Sequence, residues 1–244
     1  MPEATPTPAW RILALAAHAD DLEILCAGTL ARWVHLGHRL TMATATWCKF
    51  GSYDLSLDEC SRVRHTEAAA SAARIGADYH ALMIPDNTVN PYDADQQRLV
   101  VDLIRRVRPD VIVTHAANDY HTDHVNLSQL VLWAGPILGI AQYETGHPAL
   151  DYTPALYWMD TLNGQGFQPT EFVDITATLP TKIAMLESFE SQIPFLKRYF
   201  EMDIIEQVQT TARYRGIQAG VRYAEAFRRY QGAGWGNLTI RYLP

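Results

Sequence analysis

The chain has 244 residues, of which 48% are hydrophobic and 19% are charged, and its formal net charge is -7. This is the composition of an ordinary globular protein, and no apolar run is long enough to cross a bilayer, so a membrane-spanning protein is excluded. Nucleic-acid binding is also disfavoured, because contact with a phosphate backbone needs a concentrated basic surface.

The length suits a single α/β domain over residues 1–244. Residues 1–9 are predicted to be a flexible leader, since they hold neither a basic start nor the apolar stretch of a secretion signal. We therefore expect the protein to be cytoplasmic. The three cysteines, Cys26, Cys48 and Cys60, lack the spacing of a disulfide framework or a thiolate zinc site, so they are predicted to be core residues.

Strand-like and helix-like segments alternate along the first half of the chain. A short apolar run, Ile12–Ala17, is typical of a strand that is buried on both faces. After it we predict a helix at 27–36, a strand at 40–46, a helix at 57–75, a strand at 79–84, a helix at 95–107 and a strand at 111–114. Further strands are predicted at 156–159 and 172–175, and further helices at 179–189 and 216–230.

This alternation predicts a Rossmann-like, doubly wound α/β sheet that is mostly parallel and has helices on both faces. Dinucleotide-binding proteins follow their first strand with the glycine-rich turn G-x-G-x-x-G, but the sequence has His-Ala-Asp-Asp-Leu-Glu at that place. A nucleotide-dependent oxidoreductase is therefore disfavoured.

Two clusters of histidine and acidic residues follow the first and the fourth predicted strands. In the common strand order 3-2-1-4 these strands are neighbours, and a crevice lies beyond their carboxyl ends. The clusters consist of His18, Asp20, Asp21 and Glu23 after the first strand, and of Asn118, Asp119, His121, Asp123 and His124 after the fourth. Adjacent acids before a helix also serve as caps, but two such clusters at neighbouring strand ends favour a shared active site.

The clusters contain the residues for a catalytic zinc site, which takes three nitrogen or oxygen ligands and leaves one position for water. His18 and Asp21 lie three residues apart on a turn into a helix and can reach one ion. His124 is the better placed of the two histidines in the second cluster. We predict one divalent ion per chain held by these three residues, with zinc as the first choice and another metal as the alternative.

The neighbouring residues suggest catalytic roles around that ion. Asp20 lies beside the ligands without being needed as one, which suits a general base that takes a proton from water. His121 is a candidate either to stabilise an oxyanion or to protonate a leaving group. Asp123 is expected to orient that imidazole and to raise its pKa. The remaining histidines, His115 among them, are given structural or surface roles.

The chain resembles the PIG-L or LmbE-like family of N-deacetylases, whose hallmarks are A-H-P-D-D-x-E and H-P-D-H. The corresponding segments here are Ala17–Glu23 and His121–His124. Further similar segments are Arg64–Glu67, Leu82–Asp86, Arg108–Val111, Val173–Thr176, Arg215–Gly216 and Tyr223–Phe227. Departures from the family pattern are Ala19 and Thr122 in place of the hallmark prolines, and Phe189-Glu190 where the family often has a histidine before Ser-Gln.

The resemblance implies zinc-dependent removal of the acetyl group from an N-acetylglucosamine-type substrate, with Asp20 as the general base and His121 at the oxyanion. It also implies that Arg64 and Asp86 contact the sugar, although Arg64 has the alternative of pairing with Glu67 on its own helix. A homo-trimer or hexamer is implied, for which segment 199–230 is a candidate interface. Two alternatives remain: the same chemistry on an aminoglycoside or a lipid-linked N-acyl amide, and a non-catalytic sugar-binding protein.

Overall fold

A seven-stranded sheet forms the centre of the protein in a computed structural model, which describes residues 9–232, 235 and 243. Its strands are β1 (Arg11–Ala16), β2 (Arg39–Thr46), β3 (Asp78–Ile84), β4 (Val111–Thr114), β5 (Ala155–Met159), β6 (Glu171–Asp174) and β7 (Ala224–Arg229). They lie in the order β3-β2-β1-β4-β5-β7-β6, so strands one and four are neighbours as predicted. β1 to β5 pair in parallel, whereas β7 is antiparallel to both β5 and β6.

Eight α-helices surround the sheet in the described part of the chain. They are α1 (Asp21–Leu25), α2 (Ala27–His35), α3 (Leu57–Arg74), α4 (Ala94–Val107), α5 (Thr122–Ala134), α6 (Leu179–Leu186), α7 (Gln192–Phe200) and α8 (Ile204–Ala219). The longer ones begin at side-chain caps that satisfy the free N–H groups of the first turn. Ser56 forms a capping box with Glu59 before α3, and Asp93 and Asp203 cap α4 and α8.

The side chains of β1 pack on both faces of the sheet, because successive residues of a strand point to opposite sides. Ile12, Ala14 and Ala16 belong to a core cluster that includes Trp33 of α2 and Met185 of α6. The alternate residues of the strand belong to a second cluster, built mainly with α4 and α5 through Leu13, Leu15, Val100, Ile104, Leu127 and Val131. The predicted doubly wound α/β sheet with helices on both faces is confirmed.

The helix predicted at 216–230 is wrong. α8 ends at Ala219, and Gly220 adopts the left-handed conformation with φ 72° that commonly ends a helix. The chain then turns into β7, which lies between β5 and β6. Glu225 of this strand is buried and accepts hydrogen bonds from the backbone N–H groups of Gly28 and Thr29 and from the ammonium of Lys182. These long-range bonds hold β7 in place, and a local helical pattern does not reveal them.

Three smaller expectations concern the leader, the membrane and the thiols. The leader was predicted at residues 1–9, of which 1–8 lie outside the described residues. In the part that the structure describes, no helix is long and apolar enough to pass through a bilayer. Cys26, Cys48 and Cys60 are free and buried, which confirms the prediction that they are core residues.

Candidate metal centre

Two segments far apart in the sequence meet beyond the carboxyl ends of β1 and β4. In the turn from His18 into α1, the carboxylate of Asp21 accepts a hydrogen bond from the backbone N–H of His18 at 2.7 Å. At the start of α5, Nδ1 of His121 accepts a hydrogen bond from the backbone N–H of Asp123 at 3.1 Å and caps the helix. This cap fixes the first turn of α5 and with it the position of the buried His124.

The side chains of His18, Asp21 and His124 converge on one point. Nδ1 of His18 lies 3.3 Å from Nε2 of His124 and 3.5 Å from Oδ2 of Asp21, and that oxygen lies 3.4 Å from Nε2 of His124. Tetrahedral zinc with bonds of about 2.0–2.1 Å places its ligand atoms about 3.3–3.4 Å apart. The three atoms therefore form a triangle of the size that one zinc ion needs.

Two other histidines lie close enough to be considered as ligands. His121 groups with His18 and His124, and His115 groups with Asp21 and His124, with the ligand atoms of each group within 4.8 Å of one another. Nε2 of His115 already accepts a hydrogen bond from the backbone N–H of Ala17 at 2.9 Å. Nδ1 of His121 caps α5, which leaves only its Nε2. The candidate ligand set is therefore His18, Asp21 and His124.

His115 lies inside the cluster, although the sequence analysis placed it among the histidines of structural or surface role. Its ring stacks on that of His124 with the centroids 3.8 Å apart, and its Nε2 lies 3.2 Å from Oδ2 of Asp21. Burial lowers the pKa of His115 to about 4, so the ring is neutral at physiological pH. It packs against His124 without adding charge to the cluster. The signal for this residue was its position directly after β4, at the edge where the crevice was predicted.

A carboxylate lies behind each of the two candidate ligand histidines. Oδ1 of Asp119 is 3.2 Å from Nδ1 of His124, and Oδ2 of Asp123 is 3.2 Å from Nε2 of His18. Carboxylates in this position fix the ring orientation and raise the basicity of metal-ligating histidines. From the sequence, Asp123 was expected to orient His121, but its carboxylate contacts His18 and only its backbone N–H contacts His121.

The charges of the cluster favour a bound cation. Burial lowers the pKa of His18, but the bonds to Asp123 and Asp21 outweigh this effect and raise it to about 9. The pKa of His124 is raised to about 10, because Asp21 and Asp119 outweigh burial in the same way. The pKa of Asp21 stays well below its usual value in spite of burial. The carboxylates thus stabilise positive charge at the ring nitrogens. A divalent ion can supply this charge in place of protons.

Asp20 has a backbone conformation that is uncommon for a residue with a side chain, with φ 103° and ψ -24°. Strained conformations of this kind cost free energy and concentrate at functional sites. The carboxylate of Asp20 makes no capping bond to α1; it is buried and accepts a hydrogen bond from Arg64 at 3.1 Å. Burial raises the pKa of Asp20 to about 6, while Arg64 lowers it. A buried carboxylate with a pKa near neutrality suits a general base.

The two predicted sugar contacts, Arg64 and Asp86, both line the same cavity and are both held by other groups. Besides Asp20, Arg64 donates to the backbone carbonyl of Phe50 at 2.9 Å. The carboxylate of Asp86 accepts hydrogen bonds from the backbone N–H groups of Cys48 and Lys49 at 2.8 and 2.7 Å. The alternative pairing of Arg64 with Glu67 is not formed, since the Glu67 carboxylate instead accepts from the backbone N–H and the hydroxyl of Ser191.

His121 is half-buried and presents Nε2 as its free ring nitrogen. Because Nδ1 accepts from a backbone N–H, the proton of the neutral ring lies on Nε2, where it can be donated. Burial, with the neighbouring His18 and His124, lowers the pKa of His121. Asp123 raises this pKa, as expected, but burial and the two neighbouring rings outweigh it, so the net shift is downward and a neutral hydrogen-bond donor is favoured.

A cavity of about 390 Å³ opens beside the cluster. It is lined by the candidate ligands His18, Asp21 and His124, by Asp20, Arg64, Asp86 and His121, and by Asn87, Tyr120, Gln192, Phe195 and Leu196. The last five of these residues, Asn87 to Leu196, were not predicted as site residues. Asn87 and Tyr120 each adjoin a predicted site residue, which was the available signal. Helix α7 was not predicted, although it is amphipathic; Pro194 in its first turn is a residue that usually marks a break in a helical pattern.

The sequence of the chain, compared with known families, matches the PIG-L family model, described as GlcNAc-PI de-N-acetylase, over residues 13–134, which is half of its length. The chain belongs to the PIG-L family. The residues matched by the PIG-L model include every predicted site residue, from His18 to His124. The resemblance drawn from the hallmark segments is thereby confirmed.

Proteins similar to this PIG-L chain have names from two kinds of reaction. Diacetylchitobiose deacetylase of Thermococcus kodakarensis is 26% identical over 232 residues, which are 89% of this chain and 82% of the relative. 4-Oxalmesaconate hydratase of Pseudomonas putida is 24% identical over 236 residues, which are 91% and 90%. The solved N,N'-diacetylchitobiose deacetylase from Pyrococcus horikoshii shares the fold, with a TM-score of 0.80, 23% identity and coverage of 91% and 84%. The residues of the site must therefore help to choose the reaction.

Proposed function

We propose that this PIG-L protein is a metal-dependent hydrolase that removes the N-acetyl group from an N-acetylglucosamine-type amide. The main support is the triangle of Nδ1 of His18, Oδ2 of Asp21 and Nε2 of His124, with sides of 3.3–3.5 Å, beside the buried carboxylate of Asp20. The family description and the deacetylase relatives support an acetylated sugar as the substrate.

We propose zinc as the ion, because two imidazoles and one carboxylate form a donor set that catalytic zinc sites use and their spacing fits tetrahedral bonds. Another divalent ion is the alternative. A bound ion of this kind supplies Lewis acidity, which polarises a carbonyl group and lowers the pKa of water. His18, Asp21 and His124 would hold it, with Asp123 and Asp119 fixing the two rings.

Asp20 carries the proton in the proposed reaction. Its carboxylate accepts a proton from the water whose oxygen bonds to the acetyl carbonyl carbon. The C–N bond then breaks, and the same proton passes from Asp20 to the departing nitrogen, giving acetate and a free amine. The pKa of about 6 suits both halves of this exchange, since Asp20 can take up the proton and release it near neutral pH.

His121 donates a hydrogen bond from Nε2 to the oxyanion that develops as water attacks. Its lowered pKa supports the neutral form, which can donate a hydrogen bond but is a poor source of a full proton. This favours Asp20 over His121 as the group that protonates the leaving amine. Arg64 holds Asp20 in position, and we propose that Arg64 and Asp86 also border the sugar, since both line the cavity.

The hydratase reaction named for one relative fits this cavity less well. A substrate with several carboxylates requires free cationic side chains to bind it. Among the described residues that line the cavity, Arg64 is the only arginine or lysine, and it is already bonded to Asp20 and to the carbonyl of Phe50. A neutral acetylated sugar makes no such demand.

The deciding experiment measures acetate release from a panel of N-acetylated sugars by the purified protein with zinc added back. The panel includes an acetylated aminoglycoside and a lipid-linked N-acyl amide, which separate the alternatives of the same chemistry. The Asp20→Asn variant is the control for contaminating activity. Binding of these sugars without release of acetate would favour a non-catalytic sugar-binding protein and contradict the proposal.

Three broader properties belong to the same proposal. We infer that the chain acts as one domain, that it works in the cytoplasm and that it assembles as a homo-trimer or hexamer. The exposed aromatic residues Tyr199 and Tyr214 support segment 199–230 as a contact surface. Light scattering on the eluting peak of a size-exclusion column measures the oligomeric state.

A further inference from the structure

One wall of the cavity is apolar. The residues that form it, which we call the apolar wall, are Ile24, Leu25, Phe195, Leu196, Met202 and Ile204. They come from α1, from α7, from the connection between α7 and α8, and from the first residue of α8. Ile24, Leu196 and Met202 pack against the buried cluster of Leu186, Ile204 and Val208, so these three residues and Ile204 are backed by core.

The apolar wall begins close to the candidate ion. Ile24 and Leu25 follow Asp21 on α1 by three and four residues, and residues with this spacing lie on the same side of a helix, about one turn or 5.4 Å apart. An acetyl group at the candidate ion is too small to reach across a cavity of about 390 Å³. The apolar wall therefore faces a part of the substrate other than the acetyl group.

The rest of the lining is mostly polar. Arg64, Asp86, Asn87 and Tyr120 offer hydrogen-bonding groups to the cavity. The side chains of the apolar wall offer none, and a sugar hydroxyl placed against them would lose its bonds to water without replacement, which costs free energy. The lining thus suits a substrate that is polar on one side and apolar on the other.

We propose that the substrate carries an apolar chain or ring that binds the apolar wall while the sugar amide lies at the candidate ion. This inference rests on the proposed function and adds the substrate class. We place the apolar group on the sugar side, as an alkyl or aryl group attached to the sugar, because the proposed function fixes the acyl group as acetyl. Phe200, which is 55% exposed and also lines the cavity, extends the surface toward solvent and leaves room for such a group to continue.

A binding experiment tests the apolar wall without relying on catalysis. Calorimetry on the zinc-loaded protein compares hexyl β-D-glucoside with methyl β-D-glucoside, neither of which carries an amide. The added methylenes should tighten binding by at least about tenfold if they are buried. Leu196→Asn should remove this preference, and Met202→Gln provides a second variant if the first one fails to fold. Leu99→Asn is the matched control, because Leu99 is 41% exposed on α4 and does not line the cavity.

A kinetic comparison identifies the source of the apolar group. The substrates are the methyl and hexyl glycosides of N-acetylglucosamine, N-hexanoylglucosamine and N,N'-diacetylchitobiose. A lower KM for the hexyl glycoside than for the methyl glycoside supports the inference, whereas a gain for N-hexanoylglucosamine alone would overturn it by placing the apolar wall on the acyl side. Equal binding of the two glucosides, or a KM for the disaccharide below that of both apolar substrates, would overturn the inference. Retained preference for the hexyl glucoside with no amide cleavage would reject the proposed function and leave the apolar site standing.

Discussion

Oδ2 of Asp123 lies 3.2 Å from Nε2 of His18, on the side of the ring opposite to Nδ1, which faces Asp21 and His124. The same carboxylate accepts a hydrogen bond from the backbone N–H of Asn87 at 2.8 Å. Asp123 thereby links a candidate ligand on the β1 side of the crevice to α5 and to the segment after β3. The orientation of His18 depends on three separate parts of the chain.

Replacing Asp123 with Asn should weaken ion binding. The amide keeps a similar shape but loses the negative charge that raises the basicity of His18, so zinc affinity should fall by about 10–100-fold. Competition with a chromophoric chelator measures the affinity. Asp102→Asn is the matched control, because Asp102 is also paired with a histidine, His147, at 3.0 Å but outside the cavity. Equal affinity of both variants and the parent would argue against the supporting role of Asp123.

Removing a candidate ligand should abolish stable ion binding. His18→Ala or His124→Ala leaves only two of the three ligand atoms, so most of the zinc should be lost on dialysis. Elemental analysis of the dialysed protein gives the stoichiometry per chain. His35→Ala, at an exposed position on α2, controls for the loss of any histidine. Unchanged zinc content in the two site variants would discredit the ligand set.

Ion binding should release protons and strengthen as the pH rises. The pKa values of His18 and His124 are raised to about 9 and about 10, so in the ion-free protein both rings are protonated at pH 7. Each ring must lose its proton to bind an ion, and affinity should therefore rise by up to about 100-fold per pH unit below both values. Calorimetry in buffers of different ionisation enthalpy counts the protons. Binding without proton release would show that these nitrogens are not ligands.

Asp20→Asn should keep the ion and lose the reaction. Asparagine has no carboxylate to accept a proton, so kcat should fall by about 10²–10⁴-fold. The parent enzyme should also lose activity as the pH falls through about 6, because protonation of Asp20 removes the base. The variant should not show this acidic limb in its kcat/KM profile. Full turnover by a variant with normal zinc content would exclude Asp20 as the base.

Arg64→Met should move the acidic limb to higher pH. The guanidinium lowers the pKa of Asp20, so its removal leaves burial to raise that pKa further. Activity near pH 6 should then fall more than activity at pH 8. Profiles of kcat/KM for parent and variant measure the shift, and thermal unfolding checks that the variant is folded. An unmoved limb with an increased KM would assign Arg64 to substrate contact alone.

The order of the first four strands and the convergence of the two clusters follow from local patterns. Apolar runs ending at polar residues mark buried strands, and parallel strands place their carboxyl ends at one edge. The strand pattern therefore predicted that His18 and His124, which are more than one hundred residues apart, lie at one crevice. The roles of the residues behind them were harder to predict. Whether Asp123 faces His121 or His18 depends on the ring rotation set by the cap of α5.

The remaining differences arise where long-range contacts decide the structure. β7 contains a buried glutamate, Glu225, which no strand pattern favours, and it is stabilised by Lys182 and the start of α2. His115 offered no motif beyond its place after β4. Helix α7, which carries Phe195 and Leu196 of the apolar wall, is amphipathic, but Pro194 in its first turn interrupts the pattern by which a helix is recognised in a sequence.

The position of β7 has a consequence for biosynthesis. β6 pairs with β7, and β5 pairs with β7 on its other side, so both depend on a segment that is synthesised after them. Until Ala224–Arg229 have been synthesised, β5 and β6 lack this shared partner, and their unpaired backbone groups are open to other chains. A stop codon shortly before Ala224 should therefore yield inclusion bodies rather than a shortened native protein.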